Sequence, residues 1–227
     1  MKPYRVPLVN RLVRWIFRPI FRLLFHLLGG VVITGKENVP RHGGYIITMN
    51  HVSLYEAPFL VAFWPVPPEV AGAVEIWSRP GQSLLARWYH GIQVHRGEYD
   101  REMLVTAIAV LQSGKPLLLA PEGGRSHAVG MRRAFPGVAY IAAKTGAPVI
   151  PVGIVGTTTD YMQQAFRLKR PVLEMHIGKP VTLPPVVGAG AVRRAGLQAN
   201  ADRIMHSIAA LLPPEYRGVY DAPEDAP

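Results

Sequence analysis

The chain contains no cysteine. Disulfides, thiolate metal sites and a cysteine nucleophile are therefore excluded, and a reducing compartment is compatible with the composition. Charge is scarce as well: charged residues make up 18% of the 227 residues, against 49% hydrophobic. That much apolar material can fill the core of one domain without covalent staples. No internal repeat is present. Of the histidines, His26, His42, His90, His127, His176 and His206 show no ligand spacing, so no metal site is implied. Acid is missing altogether from residues 1–26, which hold Lys2, Arg5, Arg11, Arg14, Arg18 and Arg22. Six of the +10 net charge therefore lie in that stretch.

A basic arm of this kind serves nucleic acid or an anionic lipid surface, or is merely solvated. Large apolar residues fill the spaces between the cations: Leu12, Val13, Trp15, Ile16, Phe17, Ile20, Phe21, Leu23, Leu24, Phe25, Leu27 and Leu28. That favours lipid over nucleic acid, which stays as the weakest option. At the α-helical period, Arg11, Arg14, Arg18 and Arg22 share an arc of about 80°. Pro19 cannot donate to the Trp15 carbonyl, so a kink or restart is expected there, and Gly29-Gly30 ends the segment. Four arginines argue against a bilayer span, since each costs ~2.5–3.5 kcal/mol near the bilayer centre. They also interrupt the apolar run that a secretory signal would need. The expectation for residues 1–30 is an interfacial helix or bent helix pair. Its apolar side chains would sit at the acyl boundary, with Arg11, Arg14, Arg18 and Arg22 on lipid phosphates. The alternative is an amphipathic helix packed on its own domain.

Beyond residue 30, short apolar runs alternate with helical patterns. Strands are expected at 31–34, 45–49, 70–76, 93–95, 116–119, 149–155 and 173–177. Helices are expected at 56–63, 83–89, 100–112, 135–145 and 192–211, with Asp100 as an N-cap. The fold class is α/β: one domain over 31–212, with a mainly parallel or mixed central sheet flanked by helices. The stretch 180–190 reads as a loop, and 213–227 as an extended or disordered tail.

Chemistry gathers at the ends of the strands. Asn50-His51-Val52-Ser53-Leu54-Tyr55-Glu56 follows one of them. A His and a carboxylate five residues apart share no helical face, so they can meet only with His51 in the turn and Glu56 in the first helical turn. A carboxylate on one ring nitrogen would fix the tautomer and free the other to take a proton. Ala120-Pro121-Glu122-Gly123-Gly124-Arg125-Ser126 follows the strand at 116–119. Its glycines let backbone amides approach an anion, and Arg125 offers a two-pronged donor. Gly91-Ile92-Gln93-Val94-His95-Arg96-Gly97 brings Arg96 past a third strand, and Pro148-Val149-Ile150-Pro151-Val152 reads as a buried strand.

These four blocks, in this order, resemble the glycerolipid acyltransferase family, and within it the 1-acylglycerol-3-phosphate (lysophosphatidate) acyltransferases. That family carries Asn-His-x4-Asp, a block ending in arginine, Phe-Pro-Glu-Gly-Thr-Arg-Ser and a proline-containing apolar strand. The matching positions are Asn50-His51, Arg96, Pro121-Glu122-Gly123 with Arg125-Ser126, and 148–152, with Gly35-Lys36-Glu37-Asn38-Val39-Pro40 as lead-in. The likeness covers residues 31–180. Three positions depart from the pattern: Glu56 stands for the usual aspartate, Gly124 for threonine and Ala120 for an aromatic.

The resemblance implies acyl transfer from acyl-CoA or acyl carrier protein to the sn-2 hydroxyl of lysophosphatidate, with no cofactor. His51 would be the general base and Glu56 its orienting partner. Arg96, Glu122, Gly123, Gly124, Arg125 and Ser126 would bind substrate, with bracing of the loop as the other role for Glu122. It also implies a peripheral or monotopic position on the cytoplasmic face of a cell membrane, in a bacterium. Other acceptors (glycerol 3-phosphate, a lysophospholipid, a lyso-aminolipid) and a non-catalytic lipid-binding relative stay open. Ser53 as a nucleophile is the least favoured reading.

Overall fold

The apolar runs at 46–49, 117–119 and 149–155 form the middle of a seven-stranded sheet in the computed structural model, which describes residues 4–97 and 100–221. The strands are β1 (Gly30–Thr34), β2 (Ile46–Met49), β3 (Glu69–Ala73), β4 (Ile92–Val94), β5 (Leu117–Leu119), β6 (Val149–Val155) and β7 (Val172–Ile177), in the order β1-β7-β6-β2-β5-β3-β4. All neighbours are parallel except β6 and β7. The sheet is therefore mixed, with a parallel centre whose strands are buried on both faces and so read as continuous apolar runs.

Period-two alternation sends neighbouring residues to opposite layers. Ile46, Leu117 and Val149 pack with helices α4 (Arg101–Gln112), α5 (Gly137–Thr145) and α7 (Gly190–Ala209). Ile47, Leu118 and Ile150 pack on the other face with α1 (Leu8–Leu28), α2 (Glu56–Phe63) and α6 (Tyr161–Phe166). Helix α3 (Gln82–Tyr89) lies beside α1, where Asn10 donates to the carbonyls of Arg87 and Trp88. Asp100 caps α4, accepting from the amides of Met103 at 2.9 Å and His95 at 2.8 Å.

Three expectations change. Strand β3 stops at Ala73, not at residue 76, because its partner β4 ends at Val94, opposite Ala73; a 3-10 turn follows over Val74–Ser78. The tail expected to be extended from residue 213 instead forms α8 (Pro214–Arg217) and a 3-10 turn. Tyr216 and Tyr220 are buried there, and their hydroxyls hold the amide of Gly156 and the amide of Ala134. Residues 222–227 lie outside the described residues.

The third change concerns α1, which runs unbroken from Leu8 to Leu28 with Pro19 inside it and presents its arginines to the protein. Arg14 is buried and donates to both oxygens of Glu69, at 2.8 and 2.6 Å. Arg18 donates to the carbonyls of Val61 and Trp64, and Arg22 to that of Ala62. These carbonyls end α2 and have no intrahelical donor, and the negative end of its dipole favours cations. Arg14, Arg18 and Arg22 are therefore internal ligands of the fold, not lipid-facing groups; Arg11 alone of the four is exposed. The opposite face of α1 carries Leu8, Val9, Leu12, Trp15, Ile16, Ile20, Leu23, Leu24 and Leu27, all exposed. Among the described residues no helix is long and apolar enough to cross a membrane.

Candidate active site

His51, Glu122 and Thr157 each lie two or three residues beyond the carboxyl end of a strand, β2, β5 and β6 respectively. Such ends are where α/β sheets bind ligands. Asn50 fixes the first of them. Its side-chain amide donates to the Ile154 carbonyl at 2.9 Å and accepts from the Ile154 amide at 2.8 Å, continuing the pairing of β2 with β6 after the backbone has turned away. His51 is thereby held at the rim of the sheet.

Glu56 opens α2 and is fully buried. One of its oxygens lies 3.0 Å from His51 Nδ1. The other accepts from the Ser53 amide at 2.8 Å and the Thr157 hydroxyl at 2.6 Å. The five-residue spacing works as the sequence requires, with histidine in the turn and glutamate reaching back. A carboxylate on Nδ1 keeps the proton there and leaves the Nε2 lone pair for the cleft. Ser53 is buried and its Oγ accepts from the Tyr55 amide, so it shapes the turn and presents no nucleophile.

The second loop is tied to the first through Glu122. Its two oxygens accept from the backbone amides of His51 and Arg132, each at 2.9 Å, and the side chain is buried. Burial pushes its carboxyl up, while the two amides, His51 and Arg132 pull it down; burial wins. With one amide on each oxygen, Glu122 braces the two loops against each other, the second of the two roles that the sequence offers for it. Ser126 is a brace too: its amide donates to the His51 carbonyl at 2.8 Å and its hydroxyl to the Ala128 carbonyl at 2.6 Å.

His51, Gly123, Gly124, Arg125 and Arg96 line one cleft of about 600 Å³. Its mouth gathers Arg79 and Arg132 as well, two cations that sequence reading did not single out. Arg96 donates to the Gly123 carbonyl at 3.1 Å and pairs with Glu75 at 3.1 Å. Arg132 donates to the Gly124 carbonyl at 2.5 Å. A Cβ at Gly124 would sit 2.6 Å from Arg96 Nη1, so a side chain there would push that guanidinium aside. Gly123 has φ +65°, and a Cβ would meet the Phe135 ring at 2.8 Å. Among the described residues, Arg125 makes no hydrogen bond or ion pair. Burial lowers its pKa, as do the neighbouring charges of Arg79 and Arg96, against the pull of Glu56. Arg125 is half-buried and Arg79, Arg96 and Arg132 are exposed; guanidiniums gathered this closely favour an anion among them.

Away from this polar mouth the cleft is apolar. Its walls include Val13, Phe17 and Phe21 of α1, Pro58 and Val61 of α2, and Leu85 and Trp88 of α3. Trp77 closes one side: its indole lies 3.2 Å from where a Cβ on Gly91 would be, and 3.7 Å from one on Gly72. One arrangement thus joins a histidine base, a cluster of cations and an apolar slot. Among the described residues no group of three or more His, Cys, Asp or Glu is placed to hold a metal.

Comparison with known proteins agrees with this geometry. The model of the Acyltransferase family matches residues 30–155. A 1-acyl-sn-glycerol-3-phosphate acyltransferase of Bacillus subtilis is 25% identical over 162 residues, 70% of this chain and 78% of that protein. The protein of the same description from Borreliella burgdorferi is 24% identical over 135 residues, 59% of this chain and 54% of that protein. One from Limnanthes douglasii is 25% identical over 176 residues, 71% of this chain and 59% of that protein. The chain thus spans from about half to three-quarters of the length of these relatives. The crystal structure of the 1-acyl-sn-glycerophosphate (LPA) acyltransferase PlsC from Thermotoga maritima shares the fold, with a TM-score of 0.60 at 24% identity, over 86% of this chain and 79% of that one.

Proposed function

The chain belongs to the acyltransferase family, and from that premise we propose that it transfers a fatty acyl group from an acyl thioester to the sn-2 hydroxyl of lysophosphatidate. The observation that carries this reading is the His51–Glu56 pair at the junction of a cationic mouth and an apolar slot. Neither half alone would suffice. The slot accepts an acyl chain, the cations accept a phosphomonoester, and the imidazole stands between them.

The reaction proceeds in one displacement. Nε2 of His51 takes the proton of the acceptor hydroxyl as its oxygen attacks the thioester carbonyl. The tetrahedral centre collapses, the C–S bond breaks, and the thiolate leaves and recovers the proton from the imidazolium. Glu56 stabilises that imidazolium and holds the ring, with Ser53 and Thr157 fixing the carboxylate in turn. The acceptor phosphate lies on Arg125 with Arg79, while Arg96 and Arg132 are held by Gly123, Gly124 and Glu75 at the rim. The apolar face of α1 seats the protein on the cytoplasmic leaflet, beside the slot that its own Phe17 and Phe21 line. An apolar patch of this extent is otherwise a liability in water.

Arg125→Ala tests the phosphate role. The loss of one charged donor to a phosphate is worth ~1.5–3 kcal/mol. KM for lysophosphatidate is therefore expected to rise roughly 10–100-fold, with kcat little changed. A KM within twofold of wild type in steady-state assays removes Arg125 from the acceptor site.

A further inference from the structure

The loop after α6 places side chains where backbone comfort argues against them. Helix α6 ends with the Lys169 amide donating to the Gln164 carbonyl at 3.1 Å and the Leu168 amide to that of Ala165 at 2.9 Å. This is the helix-ending motif whose left-handed position glycine usually fills. Leucine fills it here, at φ 57°, and Arg170 is left-handed as well at φ 46°. Leucine at a position that suits glycine is a backbone outlier that points to a use for its side chain. That side chain packs on nothing: Leu168 is 87% exposed, the most exposed of the large apolar residues described, and Phe166 is 74% exposed.

Three cations flank the pair. Arg167, Lys169 and Arg170 are all exposed, and among the described residues none of their side chains is hydrogen-bonded or ion-paired. Lys169 acts at a distance on Asp160, whose carboxylate is already bonded to Thr158 and Gln164. The loop runs straight into the end of α1. Gly30 donates to the Pro171 carbonyl at 3.1 Å, and a Cβ on Gly29 would lie 2.0 Å from that oxygen. The exposed face of α1 reaches this end with Leu23, Leu24 and Leu27. The foot of the loop, at Pro171, therefore adjoins the end of the helix that carries this apolar surface.

We propose that residues 166–170 are a second bilayer contact. Phe166 and Leu168 enter the acyl boundary, and Arg167, Lys169 and Arg170 meet the phosphates of anionic lipids. Charge complementarity commits the loop to an anionic leaflet: it offers three cations and no acid. Helix α1 supplies apolar area with most of its arginines turned inward, so the loop supplies the headgroup charge that α1 lacks. Two contacts fix the angle at which the cleft meets the membrane, where one helix would leave the protein free to roll about its axis. This inference rests on the reading of α1 as a membrane seat.

The absence of cysteine makes a direct test possible. Leu168→Cys, Leu23→Cys and Val187→Cys would each be labelled on the full chain with an environment-sensitive fluorophore. Val187 lies in the loop that follows the bridge between Val181 and the amino end of β6, away from α1. On phosphatidylcholine vesicles containing phosphatidylglycerol, the labels at 168 and 23 are expected to shift to the blue and that at 187 to stay. The variant Arg167→Ser/Lys169→Ser/Arg170→Ser is expected to bind those vesicles roughly 10–100-fold more weakly while keeping its activity on detergent-dispersed acceptor. A shift at 23 without one at 168 would overturn the loop contact and leave the α1 seat standing. No shift at either would remove both. A shift at 168 produced by an acidic carrier protein but not by vesicles would make the loop a protein-docking site and refute the proposal. So would equal loss of activity in detergent, which would assign the three cations a structural role.

Discussion

His51→Ala is expected to lower acyl transfer by about 10²–10⁴-fold, the range that a positioned general base supplies, without loss of fold or lipid binding. The imidazole is partly exposed and fills no core position. Its contribution to the fold comes mainly through its backbone, which binds Glu122 by its amide and Ser126 by its carbonyl, and alanine keeps both bonds. The loss should therefore appear in kcat with KM for lysophosphatidate nearly unchanged. Glu56 is the more demanding partner to replace, since its carboxylate also satisfies the Ser53 amide and the Thr157 hydroxyl. Removing it would disturb the turn as well as the base, so His51 is the cleaner test. The measurement is the steady-state rate across acceptor concentrations for purified wild type and variant. A variant with more than a tenth of the wild-type kcat would leave Nε2 no part in proton transfer.

The largest expected effect on stability falls far from the chemistry. Arg14→Ala leaves the Glu69 carboxylate, 1% exposed, without its two shortest hydrogen bonds. Among the described residues, only the Tyr4 hydroxyl at 2.9 Å and Lys115 at 3.7 Å remain beside it. Breaking a buried pair on one side costs about 3–5 kcal/mol, a large share of a typical domain's ~5–15 kcal/mol. The midpoint of urea unfolding reports it. The double variant Arg14→Met/Glu69→Met should lose less than Arg14→Ala, because a buried pair replaced by apolar groups leaves no orphaned charge. A single-variant loss below ~1 kcal/mol, as for a surface pair, would mean that α1 is not docked through Arg14 in solution.

The His51–Glu56 pair was legible because it is local. Asn50, His51 and Glu56 lie within one turn between β2 and α2, and the spacing leaves them one way to meet. Thr157 was not legible, since it reaches Glu56 from 101 residues away and carries no signal of its own. Arg79 and Arg132 were missed for the same reason: a loop arginine looks alike whether it faces water or a cleft. Glu122 and Ser126 stood in the right motif, but whether a polar group there binds a substrate or its own backbone is decided by amides that sequence does not display. Arg14, Arg18 and Arg22 of α1 face inward, unlike the expectation, for a related reason. An arginine stripe and an apolar stripe are visible at the helical period, yet which one faces the protein depends on what the protein offers. Here it offers Glu69 and the unsatisfied carbonyls of α2. The sheet itself was readable because buried parallel strands write themselves as apolar runs, whereas α6, six residues long, is too short to show a period.

Thiol release from a long-chain acyl-CoA, followed with and without lysophosphatidate in detergent, tests the assignment most directly. Release that depends on lysophosphatidate, with phosphatidate as the product, is the expected result. Release that is independent of the acceptor, or that appears with another acceptor and not with lysophosphatidate, would contradict it.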